Sequence, residues 1–269
     1  MISFKTTVVT LMTLCLMLLC GQPGVCTADE TGLLDYGAYW MPLTIGNTKT
    51  FVSSNPQDGS TQQYTEAVTG PEIIKGLEAV KLEVTESEIQ YGTKTQGSYI
   101  ALLPDQSQGK TILKRYLASD PSLGPYYSLG TPFSVTPRYV RRVVGVPWQS
   151  TFPSTIIKQV GRRKTAIDTC ITIVTITPLE TEDATVPAGT FQDCLKTRVQ
   201  LSITYAQTPK NNMSYDMIVW EAKGLGEVRT EYLGILFGND ADTFPYNSIL
   251  SGEVIELESA SINGVEYPQ

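Results

Sequence analysis

Apolar and polar residues alternate along much of this chain. A period of two marks a strand that buries one face and exposes the other. The alternation is clearest at residues 79–84, 169–177, 195–205, 217–222 and 253–262. No window of helical length shows a period of 3.6 beyond the first 28 residues. The pattern therefore predicts strands almost throughout.

Turn-forming residues separate these stretches. Gly, Pro, Asn and Asp gather at residues 55–59, 69–71, 104–109, 211–212 and 263–264. Many short strands with regular turn signals are typical of antiparallel all-β proteins. We expect a curved antiparallel sheet, as an open barrel or a sandwich, with few or no helices.

Residues 118–137 interrupt this regularity. The segment is rich in Pro, Gly, Ser and Tyr, and it is too long for a simple hairpin. It predicts either a lid or a crossing between two parts of the sheet. Tyr126, Tyr127 and Phe133 are the candidate lid residues over an apolar ligand, and the alternative is that they cap the core.

The chain begins with the pattern of an export signal. Residues 8–20 are apolar but too few to span a bilayer comfortably, and a Gly/Pro break follows. The small residues Cys26 and Ala28 place signal-peptidase cleavage between Ala28 and Asp29, which leaves residues 29–269 as one β-rich domain. Lipid attachment at Cys20 is the alternative, although Leu19 is larger than lipoprotein processing favours. Either route predicts a periplasmic, cell-surface or extracellular protein.

The chain contains no histidine. This excludes Ser-His-Asp and Cys-His centres and His-ligated metal sites. No phosphate loop, G-x-S-x-G or S-x-x-K motif occurs, and Glu180, Glu182 and Asp183 sit in a predicted solvated loop. We therefore expect no catalytic activity, no cofactor and no metal.

Charge bears on the choice of partner. The sequence has 27 acidic and 20 basic residues, whereas nucleic-acid binding needs a basic face. Arg138, Arg142, Arg162 and Arg163 form a candidate site for a phosphate or lipid head group. The alternative is that these arginines, with Arg141 and Lys164, lie on solvated strand edges, where charge discourages pairing between sheets.

Three of the five cysteines lie in the leader, so Cys170 and Cys194 remain. An even pair in an oxidising compartment is a candidate disulfide. The two residues flank a predicted strand, turn and strand with its bend at 186–191. Two small buried side chains on neighbouring strands are the alternative, since sequence does not give the separation of their Cα atoms.

Two short segments of the chain are alike. Pro42 leads to Ile45-Gly46 and then Lys49, while Pro137 leads to Val144-Gly145 and then Trp148. In each, a long or aromatic side chain follows three residues after the glycine. Two instances do not establish a duplication, and chance similarity is the simpler explanation.

Three motifs resemble those of a family of exported bacterial β proteins with no assigned activity. Residues 39–48 (YWMPLTIGNT) are similar to its opening Y-x-P-L-x-x-G-N. Residues 186–196 (VPAGTFQDCLK) match V-P-A-G-T-F-x-D-C-L-K, and residues 220–228 (WEAKGLGEV) match W-x-x-x-G-x-G-x-V. Lys49 departs from the pattern, because the family has Trp there. The resemblance implies a secreted or lipid-anchored single β domain and implies no activity.

Two kinds of function fit these observations. One is a non-catalytic binding module that holds an apolar ligand, such as a lipid or acyl chain, or a component of the cell envelope. The other is a structural or interaction protein of the cell surface without a small ligand. An enclosed apolar cavity would favour the first, and a solid core would favour the second.

Overall fold

The computed structural model describes residues 33–39, 41–56, 59–74, 77–88, 92–105, 110–118, 126–129, 133–137, 141–160, 163–207, 209, 212–237 and 252–268. The strands are β1 Leu33–Asp35, β2 Thr48–Ser54, β3 Thr61–Ile74, β4 Leu77–Glu88, β5 Gly92–Asp105, β6 Lys110–Ala118, β7 Tyr126–Leu129, β8 Phe133–Pro137, β9 Arg141–Val143, β10 Trp148–Val160, β11 Arg163–Val186, β12 Gly189–Tyr205, β13 Met213–Ala222, β14 Gly226–Phe237, β15 Val254–Ile262 and β16 Val265–Tyr267. A 3₁₀ turn spans Tyr36–Tyr39, and Pro209 also has 3₁₀ conformation.

The predicted all-β fold is confirmed. The main sheet is antiparallel and has the order β7-β10-β11-β12-β13-β14-β15-β2-β3-β4-β5-β6-β8, with β16 paired to β15 and β1 paired to β9 apart from it. It is not closed into a barrel. Within the described residues, no helix is long and apolar enough to cross a membrane.

The turn signals have mixed outcomes. Asn263 and Gly264 link β15 to β16 with φ values of 52° and 81°, the left-handed pair that tight hairpins prefer. The turn predicted at 69–71 is wrong, because these residues lie inside β3. The register with β4 shifts there between Val68 and Gly70. Gly and Pro mark bulges as well as turns, and sequence alone does not separate the two.

The described part of residues 118–137 includes two short strands, β7 and β8. β7 pairs with β10 at one end of the sheet, and β8 pairs with β6 at the other. The sheet curls far enough for β7 also to contact β6 and for β8 to contact β10. Tyr126 and Tyr127 therefore lie on β7 opposite Gln159 and Lys158, and Phe133 lies on β8 opposite Arg115. The lid over an apolar ligand stays a prediction.

One face of the sheet forms the core. Burial alternates along β2 and β15, as strand geometry requires. The largest fully buried side chains are Met41, Phe51, Tyr64, Leu82, Ile176 and Tyr232. Burying one aliphatic side chain of this size contributes about 1.5–3 kcal/mol.

The two similar segments of the sequence make equivalent turns. The amide of Gly46 donates to the carbonyl of Val68 at 2.8 Å, and the amide of Gly145 donates to the carbonyl of Pro178 at 2.7 Å. Each acceptor lies at a register shift, in β3 and β11 respectively. Each turn thus precedes one strand and is hydrogen-bonded to a bulge in the next strand. The similarity between the two sequence segments therefore has a structural counterpart.

Candidate functional site

Several ionisable and polar side chains are buried between β2, β3, β14 and β15. They share an interior otherwise built of aromatic and aliphatic groups, and they are Lys49, Ser53, Glu66, Glu227, Thr230 and Glu253. Charged residues are seldom fully buried unless they are paired. We define these six residues as the interior polar cluster.

Strand alternation carries Lys49 into the core. Lys49 and Phe51 lie two residues apart on β2, so they share a face, and both are buried. Lys49 lies opposite Glu66 of β3, with Nζ 3.8 Å from the Glu66 carboxylate. The same Nζ donates to the carbonyl oxygen of Glu227 at 3.3 Å and lies 4.9 Å from the Phe51 ring centroid. One cation thereby joins β2, β3 and β14.

Glu227 is the second carboxylate near Lys49. Its Oε1 accepts a hydrogen bond from Thr230 Oγ1 at 2.7 Å. Burial raises the pKa of Glu227 to about 7, and Glu66 adds to this rise, while Lys49 and the Thr230 hydrogen bond oppose it. Glu227 therefore changes its protonation state near neutral pH while enclosed in the protein.

Glu253 ties the start of β15 to its neighbours. Its carboxylate accepts a hydrogen bond from Ser53 Oγ of β2, and its carbonyl oxygen accepts one from the Tyr232 amide at 2.9 Å. The Tyr232 carbonyl in turn accepts from the Gly252 amide at 2.7 Å. These bonds continue the contact between β14 and β15 beyond the Glu231–Val254 pair.

An open cavity of about 360 Å³ lies next to Glu253, at the hairpin between β2 and β3. Its lining comprises Ser54, Asn55, Pro56, Gly59, Ser60, Thr61, Gly252 and Val254. This lining offers hydroxyl, amide and backbone groups and no charged side chain. The atoms that face the cavity are mostly apolar, but the cavity is open to solvent, whereas small-molecule sites usually enclose most of their ligand.

Charged side chains pair with each other on the opposite face of the sheet. Trp220 Nε1 donates to Glu182 at 2.6 Å, and the indole lies between Lys196 and Arg229, at 5.4 and 5.1 Å from its centroid. The Trp220 hydrogen bond and Lys196 lower the pKa of Glu182. Glu180 and Glu182 therefore lie on β11, not in the predicted loop.

The candidate disulfide is absent, since Cys170 and Cys194 are both free and buried among the described residues. Cys170 lies opposite Tyr205, whereas Cys194 lies opposite Glu182, twelve residues further along β11. At about 3.3 Å per residue this separates them by roughly 40 Å, far beyond the reach of a bridge. The hairpin bend predicted between them is confirmed, because β11 ends at Val186 and β12 begins at Gly189.

Two of the four arginines of the candidate anion site, Arg142 and Arg163, lie in the described residues. Arg142 lies on β9, before β10 begins, and Arg163 pairs with Val160 at the far end of β10. Strand β10 is 13 residues long, or about 40 Å. These two residues therefore do not share an anion site. Arg138 and Arg162 lie outside the described residues, as do Cys20, Ala28 and Asp29 of the leader.

The sequence prediction missed the interior polar cluster. A period-two pattern expects apolar residues on the buried face, so it gives no signal for a buried Lys49 or Glu227. One hint was available, because Lys49 stands where the similar family has Trp. In the described part of the chain, no group of three or more Cys, Asp or Glu side chains is arranged to hold a metal ion. The side chains of the cluster are buried, with Glu227 and its raised pKa among them.

No protein-family model and no curated protein matches this chain. Two solved structures are similar to it. One is a candidate lipoprotein from Parabacteroides distasonis, with 15% identity, a TM-score of 0.39, and coverage of 82% of this chain and 97% of that chain. The other is a candidate exported protein with a YmcC-like fold from Bacteroides fragilis, with 13% identity, a TM-score of 0.39, and coverage of 83% and 99%. At this level of similarity neither transfers an activity or a site, and the motif resemblance stays a prediction.

Proposed function

We propose that this chain is an exported, non-catalytic β protein of the cell envelope or cell surface that acts through contacts with other macromolecules. The observation that supports this proposal most directly is that the protein's own side chains fill the buried face of the sheet around β2 and β3. The Phe51 and Tyr64 rings stack with centroids 5.1 Å apart, and the Lys49–Glu66 ion pair lies beside them. An apolar ligand in this region would have to displace packed rings and desolvated charges, which is costly.

The proposal of export rests on the apolar leader and on the small residues at the predicted cleavage site before Asp29. The absence of histidine and of catalytic motifs from the sequence supports a non-catalytic role. The excess of acidic residues supports a protein partner over a nucleic acid.

A second candidate is the binding module for an apolar ligand. It is favoured by the curl of the sheet, which brings β7 to β6 and β8 to β10 although these strands belong to opposite ends. A sheet with such curvature can enclose a ligand between its ends. The interior near β2 and β3 is filled, so this ligand would have to lie towards β5–β8.

One experiment separates the two. The protein is purified after export, delipidated, and melted in the presence of phospholipids and fatty acids. In parallel it is crosslinked in intact cells and its partners are identified. The interaction role predicts an unchanged Tm and a stoichiometric crosslinked protein, whereas a Tm rise with one lipid class and no crosslinked protein would establish the ligand role.

A further inference from the structure

Among the described residues, the ladder between β14 and β15 is the shortest between neighbouring strands in the strand order of the main sheet. In the described residues it has three register pairs, Arg229–Glu256, Thr230–Ile255 and Glu231–Val254, and the hydrogen bonds of Tyr232 with Glu253 and Gly252 continue it beyond them. By comparison, the ladder between β13 and β14 runs from Met213 to Ala222. We define these three pairs as the β14–β15 joint. It connects the meander β10–β14 to the meander that starts at β2.

Buried charge concentrates at this joint. Thr230 belongs to it, and the Thr230 hydroxyl holds the Glu227 carboxylate. Lys49 of β2, which pairs with β15, donates to the Glu227 backbone and lies 3.8 Å from Glu66. Glu253 adjoins β15 and accepts from Ser53. With Glu221 of β13, which is also buried, one buried cation and four buried carboxyl groups lie near the joint.

The groups that face Glu227 come from each neighbouring element. Lys49 approaches from β2 and Glu66 from β3, while Glu221 is its register partner on β13. On β15 the inward residues Ile255 and Leu257 are apolar, and Glu256 contacts Arg229, which lies over the outer-face Trp220. Among the described residues that face Glu227, Lys49 supplies the positive charge, so ionisation of Glu227 adds a second negative charge beside Glu66.

We propose that the β14–β15 joint is a pH-responsive contact, closed while Glu227 is protonated and loosened when Glu227 ionises. In the closed joint Glu227 holds its proton to about pH 7, whereas in an opened joint water solvates the carboxylate and its ordinary pKa of 4.5 returns. Opening thus releases a proton between these two values. The opening constant rises about tenfold per pH unit across this interval and levels off above it.

Hydrogen exchange of the intact exported protein tests this directly. Amides of peptides covering 226–232 and 252–256 are followed between pH 5 and pH 8.5, with rates corrected for intrinsic exchange. We expect the opening constant to rise about tenfold per unit and to level above about pH 7. Glu227→Gln, which mimics the protonated acid, should remove this dependence.

Two further variants keep the result decisive. Glu231→Gln changes an outer-face acid of the same strand and should leave the pH dependence intact. Thr230→Val removes the hydrogen bond that favours the charged form of Glu227, so the pH at which the opening constant levels off should rise. This variant tests the proposal if Glu227→Gln does not fold. A flat wild-type profile, or an equal slope in wild type and Glu227→Gln, overturns the proposal. So does an unmoved profile in Thr230→Val.

Discussion

Lys49 and Glu66 face each other across β2 and β3 in the interior, with 3.8 Å between Nζ and the carboxylate. Both side chains are almost fully buried, at 3% exposure each. A buried ion pair of this kind contributes little net stability, because the cost of removing two charges from water offsets their attraction. Removing one partner is a different matter, since it leaves the other charge buried.

We therefore expect Lys49→Met to lower the free energy of unfolding by about 3–5 kcal/mol. Urea unfolding followed by tryptophan fluorescence measures the change. The double variant Lys49→Met/Glu66→Leu should recover most of the loss, because neither charge of the pair is then left buried without its partner. If the single variant costs less than about 1 kcal/mol, the pair is not desolvated as described.

Stability should also depend on pH through Glu227. Its folded pKa of about 7 exceeds its ordinary value of 4.5, so the folded state binds the proton more tightly. This contribution is complete below about pH 4.5 and is lost as pH rises through about 7. The loss amounts to about 3 kcal/mol.

The difference in stability between wild type and Glu227→Gln isolates this effect, because all other titrating groups are shared. Measured by urea unfolding from pH 4 to pH 8.5, the free energy of unfolding of wild type should fall relative to that of Glu227→Gln as the pH rises. A difference that stays constant over this range would contradict the prediction.

Gly224 and Gly226 provide a matched pair at the turn between β13 and β14. Both have positive φ, 69° and 81°, so alanine at either site costs about 1–2 kcal/mol of backbone strain. A Cβ on Gly224 would meet nothing within 4 Å, whereas one on Gly226 would lie 3.0 Å from the Met41 backbone nitrogen. Gly226→Ala should therefore lower the Tm clearly more than Gly224→Ala, and equal losses would contradict the packing of the 41–47 segment on this turn.

The free cysteines give a chemical test. Burial raises the pKa of the Cys194 thiol to about 11 and also raises that of Cys170, so neither reacts readily as a thiolate. The exported protein, purified without reductant, should react slowly with a thiol reagent when folded and should show both thiols in denaturant. Cys170→Ser should leave one reactive thiol. Protection that persists in denaturant and disappears with reductant would indicate a bridge.

Much of the secondary structure could be predicted from sequence, because the alternation of polar and apolar residues is a local property of a strand. Residues 195–205 and 217–222 lie in β12 and β13 as expected, and Asn263-Gly264 forms its hairpin turn. Local pattern did not distinguish a turn from a bulge at 69–71. At these residues strand β3 is not interrupted, because it pairs with β4 on both sides of the register shift.

The sequence by itself determined that strands with one apolar face would dominate, since side chains alternate along any extended chain. Only the tertiary structure decided which residues meet. Lys49 reaches the backbone of Glu227 across 178 residues of sequence, and Cys170 and Cys194 are held apart although their strands are neighbours. Pairing register and curl depend on the whole sheet at once, so the buried charges and the separated cysteines appear only when the strands are assembled.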